Sequence, residues 1–559
     1  MAIHQIRDKY KIYKAEKSAE VRFRKELSRL LIDQYGKGPF IQEQIQTIIT
    51  YCLNYYIDHF KNICIEEQHF YFYQFVFMLH EDAVELAVLH KSKLNSNNIS
   101  GEYFSIYRRI LKFILETACD VNIVIKKPGP NALKEIYQTL DELIFLGDMI
   151  LACVSSYAEQ SMIEDVCEIQ FDKNDLYVFS RRHHYNFVFD QIINEWTTNV
   201  EKVVVDTNFD DLFQAVHRCF GIHYQDVGHL IADIHTQHHF TNGFNWDALP
   251  SNLGRLFSIP YSIAEQFFKG LTLDKHNKMS LLDLACRPYN MNRYLYRPII
   301  IWNVNGKDFA FCGKNAWTEA IIQLISNAIP WGKASVEWMN NDCFKRYVHT
   351  KENDHDKWLD DAAEKILEKE NCFFDRNIKK LKNGIDSVNI DVKDLGEIDF
   401  VIIVPEIKKI LVTDCKHLLT RYDAVNMKND FNAFTKPSGK KKSYNQTMNN
   451  KTTWFEANKS VVQSHFRLKY DQPDLNLDEY RVEGIFIINT PTLYMYSSKY
   501  RIYTIDQLQR VIRGNFAGKK YLVHIDNESE SRIINVTYPY FKKPVTRNIV
   551  DPFGSSAKN

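Results

Sequence analysis

The spacing of apolar residues changes near residue 297, and this change most constrains how the chain can fold. From Ala19 to about Asn290, apolar residues return at steps of three and four, as at Ile41, Ile45 and Ile48, which predicts amphipathic helices. Beyond residue 297, short apolar runs bounded by turn residues predict strands that alternate with helices. The sequence therefore predicts an α+β multidomain protein, with a large N-terminal all-α region followed by a C-terminal α/β domain built on a central mixed sheet.

Three segments follow from this pattern. Residues 1–290 form the helical region, to which we assign regulation, recognition or oligomerisation. Residues 291–340 form a connector of one β-hairpin and one helix, because Asn305-Gly306 tolerates the positive φ angles of a tight turn. Residues 341–545 form the α/β domain. Glycine and proline are scarce, 20 and 15 of 559 residues, so long flexible linkers are not expected.

Charge and cysteine content exclude several classes of protein. Lys plus Arg and Asp plus Glu are equal at 70 each, so a nucleic-acid site requires local segregation of charge. Eleven cysteines without a CxxC pair argue against a disulfide framework or a zinc ribbon and indicate reduced thiols. The N-terminus lacks the apolar core of a signal peptide, and no apolar run approaches the roughly 18 residues of a membrane span. We expect a soluble, cytoplasmic protein.

Two neighbouring predicted strands carry the residues best suited to chemistry. Asp399 lies near the start of the first strand, and Asp414 and Lys416 lie near the end of the second. If the turn at Pro405–Lys409 joins antiparallel strands, these three side chains meet at one end of the sheet. A period of two places Asp414 and Lys416 on one face and turns Cys415 to the other, into packing.

Paired carboxylates beside an amine favour hydrolysis of a phosphodiester. Carboxylate oxygens suit Mg²⁺ or Mn²⁺, and such a metal can activate water and neutralise charge on a phosphate. The Lys416 ammonium could orient the attacking water or stabilise the transition state. The alternative without chemistry is an ordinary hairpin that ends in a solvated Asp-Lys edge.

Asp399, Asp414 and Lys416, in this order and spacing, resemble the motif of the PD-(D/E)xK, or restriction-endonuclease-like, nuclease superfamily. The resemblance covers about residues 345–515, and Ile398 stands where the family name has proline. It implies a restriction-endonuclease-like fold and a Mg²⁺- or Mn²⁺-dependent endonuclease, with Asp399 and Asp414 as metal ligands. The Gly396-Glu-Ile-Asp399 form resembles the Mrr-type and nuclease-related branches, which are common in bacterial restriction and antiviral defence.

The resemblance also implies an acid from the helix before these strands and basic residues after them. We take Glu364 as that catalytic and metal-binding acid, and Asp360, four residues earlier on the same helix face, remains the alternative. On the following helix, where the family often has Gln or Lys, the candidates are Gln446, Lys451 and Gln463, and the pattern does not choose among them. Nucleic-acid contacts are predicted at the basic loop and this helix, through Lys440, Lys441, Lys442 and Lys451.

The leading prediction is thus a cytoplasmic, metal-dependent endonuclease that acts on DNA as the effector of an antiviral defence or restriction system. Its partners would be nucleic acid and no membrane, with a second copy of the chain or another protein supplying activation. Two alternatives stay open: a non-catalytic nucleic-acid-binding or assembly module with a degenerate nuclease fold, and an effector that cuts RNA.

Overall fold

The computed structural model describes residues 2–6, 10–89, 101–163, 166–182, 185, 209–238, 243–392, 395–419, 423–439, 441–496, 498–517, 519–527 and 530–538. They belong to two compact units, Met1–Ser180 with Val205–Asn353, and Arg181–Val204 with Asp354–Asn559. Helices prevail in the N-terminal half, and mixed sheet lies toward the C-terminus. This confirms the predicted combination of helical and α/β parts.

The first unit is mainly helical. The apolar face predicted for the second helix is confirmed, because Ile45, Ile48 and Ile49 are all buried. The helices begin and end as follows: α1 Lys17–Tyr35, α2 Gln42–Glu66, α3 Phe70–Leu89, α4 Gly101–Thr117, α5 Ala132–Met162, α6 Phe209–Phe220, α7 Tyr224–His238, α8 Ala248–Phe257, α9 Tyr261–Lys269, α10 Leu281–Cys286, α11 Lys314–Asn327 and α12 Val336–Met339.

The first unit also contains strands, so the all-α prediction for residues 1–290 is wrong. The strands are β1 Ala2–Ile6, β2 Tyr10–Lys14, β3 Asn122–Ile123, β4 Cys167–Phe171, β5 Tyr177–Arg181, β6 Thr272–Leu273, β7 Ile299–Val304 and β8 Lys307–Cys312. The strands within residues 1–290, β1 to β6, have only two to five residues, too few to establish a period of two. The β4–β5 hairpin depends on its turn, where Asp172 Oδ1 accepts hydrogen bonds from two backbone amides.

The predicted hairpin at Asn305-Gly306 is confirmed. Val304 pairs with Lys307 across the turn, and the two turn residues have φ angles of 51° and 78°. Both φ angles are positive, as a type I′ turn requires. The segment 291–340, predicted as a separate connector, is part of the first unit.

One disulfide departs from the expectation of reduced thiols. Cys219, in α6, is bonded to Cys343, 124 residues later in the chain. The spacing of cysteines along the sequence does not reveal this pair, because the packing of the first unit brings the two residues together. The nine other cysteines, all among the described residues, are free thiols.

The second unit is built on a five-stranded mixed sheet. Its strand order is β15-β14-β13-β12-β9; β9, β12 and β13 pair antiparallel, whereas β13, β14 and β15 pair parallel. Separate hairpins are formed by β10 with β11 and by β16 with β17. The strands are β9 Phe373–Ile378, β10 Lys380–Asn383, β11 Asp386–Asn389, β12 Ile398–Val404, β13 Lys409–Lys416, β14 Arg481–Ile488, β15 Arg501–Thr504, β16 Lys519–Asn527 and β17 Glu530–Tyr538.

Helices cover both faces of this sheet. One apolar core packs Leu359 and Ala363 against Phe400 and Ile402, and the other packs helical residues such as Met448 against the opposite face. The helices are α13 Asp342–Leu367, α14 Ala424–Thr435, α15 Tyr444–Ala457, α16 Lys459–Tyr470 and α17 Ile505–Ile512. Helix α13 begins in the first unit and ends in the second.

In the described part of the chain, no helix combines the length and the apolar content that crossing a bilayer requires.

Candidate functional site

The candidate site lies at one end of the five-stranded sheet, where β12 begins and β13 ends. The register of these strands pairs Phe400 with Thr413, which places Asp399 opposite Asp414. The backbone N–H of Cys415 donates a hydrogen bond of 2.6 Å to Asp399 Oδ2. The ammonium of Lys416 lies 3.5 Å from Asp414 Oδ2. The predicted meeting of these side chains is confirmed, whereas their catalytic role stays a prediction.

Asp414 is a buried carboxylate held between two ammonium groups. Its second partner is Lys451, whose Nζ donates a hydrogen bond of 2.7 Å to Asp414 Oδ1. Burial acts to raise the pKa of Asp414, but the charges of Lys416 and Lys451 outweigh burial and hold this pKa below its usual range. Asp414 is therefore ionised, and each of its oxygens has a cationic partner.

Lys451 does not have the position predicted for it. It is only 3% exposed and also donates a 2.7 Å hydrogen bond to the carbonyl of Glu397. The prediction that it contacts nucleic acid from the surface is therefore wrong. Met448 and Phe455 are buried on the same helix, at spacings of three and four residues from Lys451. The spacing of these apolar residues in the sequence is the pattern that indicates that Lys451 points toward the sheet.

The helix that contributes an acid to the site is α13. The ligand atoms of Asp360, Asp399 and Cys415 all lie within 4.8 Å of one another. Glu364, the predicted ligand, instead accepts a 2.6 Å hydrogen bond from Arg376 Nη1. The structure thus brings Asp360, the alternative, to Asp399, and it pairs Glu364 with Arg376 of β9, whose Nη2 also lies 3.9 Å from Asp360 Oδ2.

The ionised form of Asp399 is unfavourable, chiefly because the side chain is largely buried. Burial raises its pKa to about 6, with the negative charges of Asp414 and Asp360 adding to burial and Lys416 opposing it. Burial likewise raises the pKa of Asp360. Both acids are destabilised in their charged form, and a cation near them would reverse this. A set of carboxylate oxygens fits the preference of Mg²⁺ and Mn²⁺.

The alternation of β12 is interrupted at Asp399. Ile398 packs in the same core as Val401, whereas Phe400 packs in the core on the other face of the sheet. Neighbours two apart, such as 398 and 400, would share a face in a regular strand. Opposite Asp399, in β9, Asn377 has a φ of 52°. This irregularity lets Asp399 reach both α13 and β13.

Cys415 is a site neighbour that sequence reasoning assigned to packing alone. Its side chain does pack against the core beneath α13, as predicted. Burial, together with the charges of Asp399 and Asp360, raises the pKa of its thiol well above the usual range. The thiol is therefore protonated, and it donates a hydrogen bond to Asp360.

The basic loop before α15 lies close to the site. The Lys416 and Lys441 ammonium groups lie 5.2 and 5.9 Å from the centre of the Tyr444 ring. Lys441 and Lys442 are both exposed. Lys440 lies outside the described residues. Nucleic-acid contacts by these three lysines stay a prediction.

A second group of metal-ligand side chains lies beside the site but does not fit an ion in its present arrangement. His355, Asp356 and His417 bring ligand atoms within 4.8 Å of one another. The two imidazole rings, however, are stacked, with centroids 3.6 Å apart and planes inclined by only 13°. Imidazole lone pairs lie in the ring plane, so one ion cannot lie in both planes at bonding distance.

The site therefore has two parts: the ligand atoms of Asp360, Asp399 and Cys415 lie within 4.8 Å of one another, and Asp414 is paired with the ammonium groups of Lys416 and Lys451. The carboxylates of Asp360 and Asp399 are the pair best placed for a hard divalent cation, and Lys416, beside the exposed loop, can contact an anion. We compared the chain with protein-family models, curated proteins and solved structures, and no match was found in any of the three.

Proposed function

We propose that the second unit is a Mg²⁺- or Mn²⁺-dependent nuclease of the PD-(D/E)xK type that hydrolyses phosphodiester bonds in DNA and acts in restriction or antiviral defence. One observation carries the proposal: Asp399 lies beside Asp360 on one side and the Asp414–Lys416 pair on the other, at the end of a mixed sheet. The order α13, β9, β12, β13, α15, β14 agrees with the core that the sequence resemblance implies.

Each group has a role in this proposal. Asp360, Asp399 and Asp414 would hold the metal, which when bound supplies an activated water and neutralises phosphate charge. The charges of Asp414 and Asp399 outweigh burial and raise the pKa of Lys416, which keeps its ammonium charged. The Tyr444 ring lies 5.2 Å from this ammonium and restricts its position. Lys416 would donate to a phosphate oxygen or orient the attacking water.

One observation favours the alternative of a non-catalytic binding module. Lys451 and Lys416 already neutralise both oxygens of Asp414, as internal cations do in a degenerate metal site. A metal ligand role for Asp414 requires one of these contacts to open. Asp399 and Asp360 have raised pKa values, and the nearest cation in the ion pairs of the described residues, Arg376 Nη2, lies 3.9 Å from Asp360 Oδ2, farther than Lys451 lies from Asp414. The two proposals therefore differ in whether the protein binds a divalent cation at all.

The test uses the full chain with plasmid, linear DNA and RNA, in Mg²⁺, Mn²⁺ or EDTA. We expect cutting of DNA only with metal, and a loss of about 100-fold or more in Asp399→Asn and Lys416→Met. Asp360→Asn and Glu364→Gln form a matched pair on one helix face. The first should lose activity, and the second should keep it.

Binding of Mn²⁺, followed by calorimetry, gives a second measurement that does not depend on cutting. Asp399→Asn should abolish binding, whereas the exposed Asp474→Asn should not change it. Cutting in EDTA, or equal Mn²⁺ binding by both variants, would refute the metal site. Absence of both cutting and Mn²⁺ binding, with nucleic acid still bound, would establish the non-catalytic module.

A further inference from the structure

The hairpin formed by β10 and β11 projects beside the candidate site. It leaves the sheet directly after Ile378, which pairs with Ile398, the neighbour of Asp399. At its base, Lys379 forms an ion pair of 3.3 Å with Glu397, whose carbonyl accepts the hydrogen bond from Lys451. The hairpin therefore begins two residues after Ile378, whose partner Ile398 is the neighbour of Asp399 in β12.

The base of the hairpin is fixed while its tip is exposed. Leu381 is fully buried, and the backbone N–H of Lys382 donates a 3.0 Å hydrogen bond to His465 Nδ1. At the other end, Ile385 is the second residue of the Gly384-Ile385 turn and is the most exposed large apolar residue among those described, at 106%. The hairpin is thus held at its base and accessible to a partner at its tip.

One face of the hairpin is polar and uncommitted. Lys380 pairs with Asn389, and Lys382 pairs with Ser387, so these four side chains share a face. All four are exposed, and in the described part of the chain neither lysine forms an ion pair. The acidic Asp386 belongs to the other face, because it pairs with Asn383. The polar face therefore carries positive charge.

We propose that the β10–β11 hairpin binds in the major groove of duplex DNA and holds the duplex against the site, an inference that rests on the proposed nuclease function. A two-stranded ribbon fits the major groove of B-form DNA, about 12 Å wide and 8.5 Å deep. Four residues per strand give a length of about 13 Å, enough to cross that depth. The major groove of A-form RNA is too narrow for side chains to enter.

The side chains of the polar face match this groove. The long Lys380 and Lys382 side chains reach phosphates at the groove walls. The shorter Ser387 and Asn389 face base edges, where hydroxyl and amide groups pair with donors and acceptors. Ile385 at the tip provides apolar contact with thymine methyl groups. The hairpin thus selects duplex DNA over duplex RNA as the substrate class.

The test measures binding of the full chain to a DNA duplex, an RNA duplex of the same sequence and single-stranded DNA. Fluorescence anisotropy in EDTA, without added metal, reads binding without hydrolysis. We expect the DNA duplex to bind most tightly. In Lys380→Ala/Lys382→Ala, the slope of log K against log salt should fall by about 1.8, at about 0.9 per phosphate contact. Between 50 and 200 mM salt, the wild type should then lose about 12-fold more affinity than this variant.

The matched control is Lys365→Ala/Lys369→Ala, which removes two exposed lysines near the C-terminal end of α13, next to the opposite end of β9. Its slope should equal that of the wild type. Ile385→Ser should weaken binding without changing the slope. Equal slopes in all variants, equal affinity for both duplexes, or no binding of DNA would overturn the hairpin proposal.

The two proposals fail in different ways. A chain that binds duplex DNA through these lysines but never cuts it supports the hairpin and refutes the nuclease. A chain that cuts with metal but binds equally well without Lys380 and Lys382 supports the nuclease and refutes the hairpin. Circular dichroism of each variant establishes that it is folded, which is expected because the three replaced hairpin side chains are exposed.

Discussion

Replacing Asp399 by asparagine should stabilise the metal-free protein while it abolishes metal binding. The carboxylate has a pKa raised from 3.8 to about 6, so folding makes its ionised form less favourable. Asparagine has nearly the same shape, carries no charge and can still accept the hydrogen bond from the Cys415 N–H. A side chain that weakens the fold in order to hold charge is typical of a functional site.

The magnitude follows from the shift in the pKa of Asp399. Because the folded-state pKa is raised, the proton favours folding below pH 3.8, and this stability is lost as the pH rises through about 6. The difference between 3.8 and about 6 corresponds to a loss of about 3 kcal/mol in the free energy of unfolding above pH 6. Asp399 keeps some exposure to solvent, so this figure is an upper bound. For a unit of about 200 residues, it raises the melting temperature by about 6–12 °C.

The assay is thermal unfolding of the wild type and Asp399→Asn at several pH values between 4 and 8, in EDTA. We expect the stabilisation to be largest at pH 7 and above, and to fall below about 1 kcal/mol at pH 4, where the wild-type carboxyl is protonated in the folded state. The exposed Asp474→Asn controls for the general effect of removing a carboxylate.

Two results would refute the reasoning about Asp399. If Asp399→Asn melts at or below the wild-type temperature at pH 7, the acid is not destabilised by its surroundings. If the stabilisation persists unchanged at pH 4, it arises from packing and not from charge. Addition of Mg²⁺ should reduce the difference by stabilising the wild type alone, since a ligand that binds only the folded state raises its stability.

Three further predictions concern the frame of the two units. Lys451→Met removes one partner of the buried Asp414 and should cost about 3 kcal/mol in urea unfolding; a cost below 1 kcal/mol would contradict a buried pair. Gly484→Ala places a methyl group 2.7 Å from side-chain atoms of α15, so we expect a loss of about 1–3 kcal/mol by thermal unfolding, and no loss would contradict this tight packing. Replacing Cys219 and Cys343 by serine should cost up to about 4–5 kcal/mol, because their bond closes 124 residues; equal melting with and without reductant would contradict a disulfide in solution.

The sequence predicts the meeting of Asp399 with Asp414 and Lys416 because the information is local. A short turn and a period of two determine which residues of two adjacent strands lie opposite each other. The Asn305-Gly306 hairpin is predictable for the same reason, since its turn residues favour positive φ angles. Both features depend on fewer than about twenty consecutive residues.

The choice between Asp360 and Glu364 depends on a contact that the sequence does not display. Both acids lie on the same face of α13 and near Arg376, which hydrogen-bonds to Glu364 at 2.6 Å and lies 3.9 Å from Asp360. Asp360 differs in that it also meets Asp399, a residue of another element. The burial of Lys451 is similar, because a lysine is ordinarily exposed and its partner Asp414 is 37 residues away. Contacts of this kind arise from packing between elements, which a periodic pattern along one element does not encode.

Main-chain atoms form much of the frame around the acids. The N–H of Cys415 holds Asp399, and the carbonyl of Glu397 holds Lys451. These two contacts are made by peptide groups and do not themselves require a particular side chain, although the Glu397 carboxylate also pairs with Lys379 and the Cys415 thiol with Asp360. Asp399 and Lys451, in contrast, make these contacts with their side chains. Keeping this geometry therefore depends on the residue type at few positions.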